Sequence, residues 1–436
     1  MAILEILSAA QASGFDAAAA TRAYLDAMPA DQAAQTAAYH EGQIWLILWN
    51  AVVGIAVMWI LLQTGFAKGL RTWLEARMPR WLAPFPFALA FLAVSTAMAW
   101  PLTYYEGFVR EHQYGLATQS FGQWFSEWAL QFGIGTFVFG IFLWVLYLAI
   151  KAFKRSWWII GTVISAAFIY VMMLYAPVYI APMFNDYTSL EEGELRDNIL
   201  ALAEANDIPA DDVYVYTSSD QSNRITANVA GIGSSIRIAL GDTMIEQADL
   251  DEIRHVMAHE MGHYALGHTT RGMIFFVVVF FAGFAFVHFS FGWANARFGA
   301  KWDIQNIGDL AGMPLFFILL TVFQTLLTPV QYNYVRIGEL EADRFAFEAA
   351  REPDGAATVA LRLSTYRELE PEPWEEFLFR HHPSGATRVS MAMDWKAQEL
   401  AAGAEDQTTA LQLDRARAIF ADSPIAEHAE GGDEAN

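Results

Sequence analysis

A chain of 436 residues that is 55% hydrophobic, with only 17% charged residues and a positive mean hydropathy, is too apolar for an ordinary soluble enzyme. Its 32 Phe, 15 Trp and 16 Tyr suit a membrane protein with aromatic belts, and its net charge of −22 excludes nucleic acid as a partner, because no basic surface is there to meet phosphates. With no cysteine, a disulfide framework and a thiolate metal site are both excluded, so any metal must rest on His and carboxylate ligands. In chain order, residues 1–43 are Ala-rich, with short apolar runs and no basic n-region. They predict an amphipathic, interfacial segment rather than a signal peptide. Six runs then reach the length of about 20 apolar residues that a bilayer crossing needs. They lie near Ile44–Leu62, Trp81–Tyr104, Leu130–Ile150, Trp157–Tyr175, Met273–Phe291 and Met313–Val330. Asn50 and Gln324 interrupt the first and last, and are expected to face the protein interior.

Residues 44–176 thus form a membrane domain with four spans. A second domain, 177–402, is mostly polar and is interrupted by the spans near 273–291 and 313–330. Within it Leu190–Ala205 has a helical pattern and Asp212–Thr217 alternates as a strand. Asn228–Leu240 is a second strand-like piece, interrupted by Gly231 and Gly233, and residues 331–402 read as helical. The acidic residues 403–436 predict a disordered tail. There is no internal repeat. The fold class is mainly α, a polytopic helical membrane bundle with an α+β region at the membrane boundary.

Chemistry concentrates in His259-Glu260-Met261-Gly262-His263, on the predicted helix Leu250–Leu266. Imidazoles at i and i+4 share a helix face and can share a metal; these residue types suit zinc, and the adjacent carboxylate suits the general base of a hydrolysis. Such a site takes a third protein ligand and leaves one position for water. The fifth and sixth spans form a hairpin that brings the chain back to the same side. Soon afterwards come Glu339 and Asp343, again at i and i+4, in Arg336-Ile337-Gly338-Glu339-Leu340-Glu341-Ala342-Asp343. One carboxylate can bind the metal while the other hydrogen-bonds a ligand histidine. The hairpin accounts for a third ligand 76 residues beyond His263 (339 − 263). His268, five residues after His263, projects roughly 140° around the helix and reads as a supporting or interfacial residue. His255, four before His259, is set aside because pairing those two would misplace the glutamate.

The run His259–His268 resembles the type 1 CAAX prenyl endopeptidase family, integral-membrane zinc metalloproteases. Pro177–Asn185 followed by Leu190–Leu195 is similar to that family's entry to its soluble region, and Glu111–Leu116 to its membrane-domain signature. The resemblance spans most of the chain. It implies one Zn2+ per chain held by His259, His263 and Glu339, with Glu260 as general base. It also implies that Asp343 is a proton donor, which leaves that role open beside the supporting one. His382-Pro383 with Arg388 resembles the family's His-Pro…Arg segment, implying that His382 stabilises an oxyanion. Ala227-Asn228-Val229-Ala230-Gly231 resembles an edge strand that takes the substrate through main-chain hydrogen bonds. The family further implies a zincin-like metalloprotease domain and a water-filled chamber among the helices. Eukaryotic members have seven spans, and residues 1–43 stand where the first would be.

The expected activity is hydrolysis of internal peptide bonds in membrane-associated or prenylated-type peptides or proteins. One alternative is quality-control proteolysis of misfolded or stalled membrane proteins, with no prenyl requirement. A distant one is a transporter or receptor with structural zinc, which four protein ligands would mark and in which Glu260 would have no use. The expected partners are a peptide or membrane-protein substrate and membrane lipid, in a prokaryotic inner or plasma membrane. Sidedness is contested. Lys68, Arg71, Arg77, Arg80, Lys151, Lys154, Arg155, Arg297 and Lys301 lie opposite the site, which the positive-inside rule would read as a site outside the cytoplasm. The resemblance implies a cytoplasmic site, and that is the expectation carried forward.

Overall fold

The structure is a computed structural model that describes residues 14–231 and 236–421. Its first helix, α1 (Ala17–Leu25), is capped by Asp16, whose side chain accepts a hydrogen bond from the Ala19 N–H at 3.0 Å. Helix α2 (Ala30–Gln63) has 34 residues and is therefore roughly 50 Å long, enough to cross a bilayer and extend beyond it. The interfacial segment expected over residues 1–43 is therefore divided. Residues 30–43 are the first turns of the same continuous helix that carries the first apolar run, and α1 packs into the protein, with Tyr24 and Leu25 buried. Residues 1–13 lie outside the described residues.

Short helix α3 (Phe66–Glu75) turns the chain at the far face. Helix α4 (Pro84–Tyr104) returns through a π-helical turn, Tyr105–Val109, to Gln113; α5 (Phe121–Ala152) and α6 (Trp157–Tyr175) form the next pair. Much later α10 (His268–Phe298) and α11 (Met313–Ala350) form the last hairpin. With α2, α4, α5 and α6, these make six helices among the described residues that are long and apolar enough to cross a membrane. Their outer faces leave Leu326 74% and Phe289 73% exposed, surfaces that lipid tails can cover and water cannot without a large hydrophobic penalty. Inside, Trp157, Phe87, Phe91, Phe284 and Phe316 interlock. Gly140 and Gly161 permit close approach: a Cβ would sit 2.7 Å from the Leu89 side chain at the first and 2.9 Å from the Leu146 side chain at the second, the small-residue packing that membrane helices use in place of a hydrophobic driving force.

The second domain is built around a four-stranded sheet, β1 (Tyr187–Ser189), β2 (Val213–Tyr216), β3 (Ala227–Ala230) and β4 (Arg237–Gly241), in the order β1-β2-β4-β3. Strand β2 runs parallel to β4, and β3 runs antiparallel to it with Asn228 opposite Ala239. The single strand-like piece expected at Asn228–Leu240 is therefore two strands folded back at Gly231, whose φ of 108° suits only glycine; Gly233 lies outside the described residues. Helices α7 (Glu194–Ala205), α8 (Asp242–Gln247) and α9 (Leu250–Ala265) complete this layer. Beyond α11 come α12 (Pro353–Leu363), α13 (Pro373–Phe379), α14 (Gly385–Ala402) and α15 (Leu413–Ala421).

Helix α15 falls where disorder was expected for residues 403–436. The acidic composition of the surrounding tail hid an amphipathic face that buries Ala416, Ile419 and Phe420; residues 422–436 lie outside the described residues. Arg415 at its start pairs with Asp249 at 2.8 Å and Asp251 at 2.7 Å, fastening α15 to the N-terminus of α9. Nearby, fully buried Lys396 donates to Asp354 at 2.6 Å and to the Ala410 carbonyl at 2.8 Å, while Tyr24 donates to the other Asp354 oxygen at 2.7 Å. This polar knot joins α1, α12 and α14. Replacing Lys396 with Ala strands a buried carboxylate and is expected to destabilise the fold by about 3–5 kcal/mol, seen as a lower unfolding midpoint of the detergent-solubilised protein. An unchanged midpoint would mean that the knot contributes nothing.

Candidate metal centre and active site

Helix α9 starts at a reciprocal capping box, in which Asp249 accepts from the N3 backbone and Glu252 from the backbone N–H of Asp249. The i, i+4 spacing then directs His259 and His263 to one side, with ring centroids 4.9 Å apart. Gly267, at φ 66°, breaks the helix and redirects the chain straight into α10. His268 therefore belongs to α10 and not to the far side of α9. It meets His263, Nδ1 to Nδ1, at 2.8 Å and reaches Glu341 at 3.0 Å, a supporting contact as expected but reached by another route.

Helix α11 crosses α9 closely because Gly262 leaves room for Phe345; a Cβ there would sit 3.0 Å from that ring. This crossing brings Glu339 to the histidines. The His259 and His263 Nε2 atoms are 3.2 Å apart, and the two Glu339 oxygens lie 3.4 Å from one and 3.4 Å from the other. A tetrahedral ion with bonds of about 2.0–2.1 Å requires ligand–ligand edges of about 3.3–3.4 Å, so the three donors fit zinc in size and in type. Asp343 Oδ1 lies 2.8 Å from His259 Nδ1, which directs Nε2 toward the shared point. Arg388 bridges the two carboxylates, at 3.0 Å from Glu339 and 3.1 Å from Asp343, and His382 Nε2 is 3.4 Å from Glu339.

These seven residues, Glu260 included, line one cavity of about 280 Å3. Of the expected edge strand only Ala227 lines it, together with Ile225 and Thr226, while Asn228–Gly231 lead away from it. Arg367 and His255 are lining residues that the sequence reading did not assign. Nothing in the sequence marks Arg367, which arrives from the loop after α12. His255 carried a signal, its place one turn before His259, and it serves as wall rather than ligand, with its ring on Phe347 at 5.3 Å.

The electrostatics suit a dication. Three carboxylates, Glu260, Glu339 and Asp343, face two guanidiniums, those of Arg388 and Arg367. Burial disfavours a charge on His259, but Asp343 and Glu339 outweigh it and push this imidazole up to about 9. The field that holds that proton would hold a metal ion. Burial pushes Glu260 above the usual carboxylate range, opposed by the two histidines, as suits a group that must accept a proton. Burial, with Arg367 adding to it, holds His382 down at about 2, so it stays neutral and can present an N–H.

Six apolar helices and a His–His–Glu donor set at their boundary define a multi-pass membrane metalloprotease. Residues 189–396 match the family model described as peptidase family M48, and residues 17–186 match that of the CAAX prenyl protease N-terminal region, five membrane helices. The chain belongs to peptidase family M48, with the CAAX prenyl protease type of membrane domain. Within the second match, four of its helices are long and apolar enough to span. Among its relatives, Bacillus subtilis "uncharacterized metalloprotease YhfN" is 29% identical over 347 residues, covering 78% of this chain and 81% of that one. CAAX prenyl protease 1 of Saccharomyces cerevisiae is 27% identical over 331 residues, covering 70% and 71%. The crystal structure of S. mikatae Ste24p shares the fold, a helical membrane chamber with a small sheet, at a TM-score of 0.70 and 21% identity, covering 89% of this chain and 96% of that one.

A metal must displace the proton from His259, so affinity is expected to rise with pH until about 9, by roughly tenfold per unit for one displaced proton. Zinc competition titrations at pH 6 and pH 8 measure this; equal affinities would remove His259 from the ligand set.

Proposed function

We propose that this protein is a zinc-dependent endopeptidase that hydrolyses internal peptide bonds of membrane-associated or prenylated-type peptides and proteins. The observation that carries this reading is the donor triangle of His259, His263 and Glu339, with Glu260 in the same cavity but outside the triangle. Three protein ligands leave a coordination position free, and a carboxylate that is not a ligand remains available as a base. A structural zinc in a transporter or receptor would be closed by a fourth protein ligand and would leave Glu260 idle.

Bound zinc supplies the Lewis acidity that makes water nucleophilic and polarises a carbonyl. The remaining work falls to the chain. Glu260 accepts the proton of the attacking water and passes it toward the leaving amine. Asp343 holds His259 in the tautomer that offers Nε2, and Arg388 bridges and orients both carboxylates of α11. His382 donates to the oxygen that becomes negative as the carbonyl carbon turns tetrahedral. The substrate adds to the free edge of β3 from Ala227 through main-chain hydrogen bonds, which hold an extended peptide without reading many side chains.

That mode of binding favours a second reading, quality-control proteolysis of misfolded or stalled membrane proteins, in which a prenyl group is dispensable. Two matched peptides, one farnesylated and one not, are expected to be cleaved alike by the wild type, and Glu260→Ala is expected to slow both by at least about 10²-fold. Cleavage of the farnesylated peptide alone would sink the quality-control reading, and cleavage unaffected by the substitution would sink the mechanism.

An even span number accords with α1 and α15 packing together, which leaves both ends of the described chain on the face that carries the site. We infer a cytoplasmic site, against the nine basic residues of the far face. A reporter fused after Asn436 in intact cells is expected to report the cytoplasm; a signal from the opposite compartment would reverse the assignment.

A further inference from the structure

Next to the catalytic cavity lies a second one of about 270 Å3, bounded by Tyr39, His40, Arg224, Tyr366, Arg380 and Ser384 among others. Arg367 and His382 line both. The order in space is therefore edge strand, catalytic cavity, the His382–Arg367 wall, second cavity. A peptide that leaves β3 and passes His382 has the second cavity ahead of it.

Four arginines line the two spaces, and three are matched. Arg224 pairs with Glu111, Arg380 with Glu368, and Arg388 with Glu339 and Asp343. Arg367 differs. Among the described residues its guanidinium has neither a hydrogen bond nor an ion pair; the ring of the adjacent Tyr366 lies 5.9 Å away, and Glu339 attracts it only from beyond ion-pair distance. It lies deep in the domain, and the surface it retains opens onto the cavities it lines. Burial holds this guanidinium below its ordinary value; Tyr366 and Glu339 oppose the effect, and Arg388 and Arg224 add to it. A cation taken from bulk water without a partner is unfavourable until an anion arrives. The planar fork of a guanidinium fits a carboxylate through two parallel hydrogen bonds. The whole chain carries −22, so an anionic substrate gains nothing from the long-range field and depends on such a local pair.

We propose that the second cavity is a substrate subsite in which Arg367 binds a carboxylate of the peptide, close to the scissile bond; this rests on the proteolytic reading above. The carboxylate has two sources, a free C-terminus or an Asp or Glu side chain.

The test uses the full-length zinc-loaded protein in detergent and one peptide in three forms: free C-terminus a few residues past the cleaved bond, the same end amidated, and the amidated form with a glutamate at that end. In the wild type, kcat/KM for at least one carboxylate form is expected to exceed that of the neutral form by about tenfold or more, the scale of one charge-assisted pair. The form that gains identifies the source, and either supports the subsite. Arg367→Gln is expected to bring the ratio close to one. Arg367→Lys is expected to keep part of it, since the charge remains and the fork is lost. Equal rates for all three peptides in the wild type would overturn the proposal without any variant, as would a ratio unchanged in active Arg367→Gln protein. If the wild type cleaves none of them, the proteolytic reading has failed. Fluorescence anisotropy of the labelled peptides on Glu260→Gln protein then still measures carboxylate preference by binding, and equal affinities there overturn the subsite.

Discussion

Two carboxylates buried one turn apart on the same helix repel each other and lose their hydration, so a fold that keeps them must surround them with positive charge or donors. Glu339 and Asp343 are in this position on α11. Arg388 spans both, His259 bonds Asp343 and both histidines approach Glu339. Much of the structure serves that arrangement. The α10–α11 hairpin delivers the carboxylates, Gly262 lets α11 close on α9, and α14 carries Arg388 in from the other side. The residual negative charge is the affinity of the site for a dication. Its metal chemistry and its packing thus have one cause.

What the sequence made legible follows from periodicity. Spans announce themselves because about 20 apolar residues in a row have few other uses, and H-E-x-x-H with a later E-x-x-x-D is readable because helical spacing alone puts the groups on one face. The unread parts depended on tertiary contact. Residues 30–43 are polar enough to resemble an interfacial helix, yet they continue α2 because a long rod can leave the membrane and still be held, as Tyr39 is by Glu111 at 2.8 Å. Helix α15 was masked by composition, and its few buried apolar residues count only because α1 and α12 receive them. Arg367 has no local pattern around it, and only the cavities show that it stands unmatched. The break at Gly231 was visible as a glycine, but whether a glycine bends a strand or ends it depends on the partner strand.

The aromatic and basic residues of the far face complete the membrane fit. Trp73, Trp81 and Trp293 are all more than half exposed there, at the depth where indole rings favour the interface. Arg71 is tied to Asp309 at 2.7 Å and Asp303 at 3.1 Å, so this end is braced while the other end carries the chemistry.

The clamp of Arg415 on Asp249 and Asp251 bears on timing. A ribosome delivers the chain from its N-terminus, so His259 and His263 emerge long before Glu339, and Glu339 before the arginine that fastens the start of their helix. While spans are still being inserted, a growing chain offers two imidazoles and no complete donor set. In this architecture the donor set of His259, His263 and Glu339 is complete only once the membrane hairpin has closed. The order of the chain thus makes the metal site one of the last features of the fold to be completed.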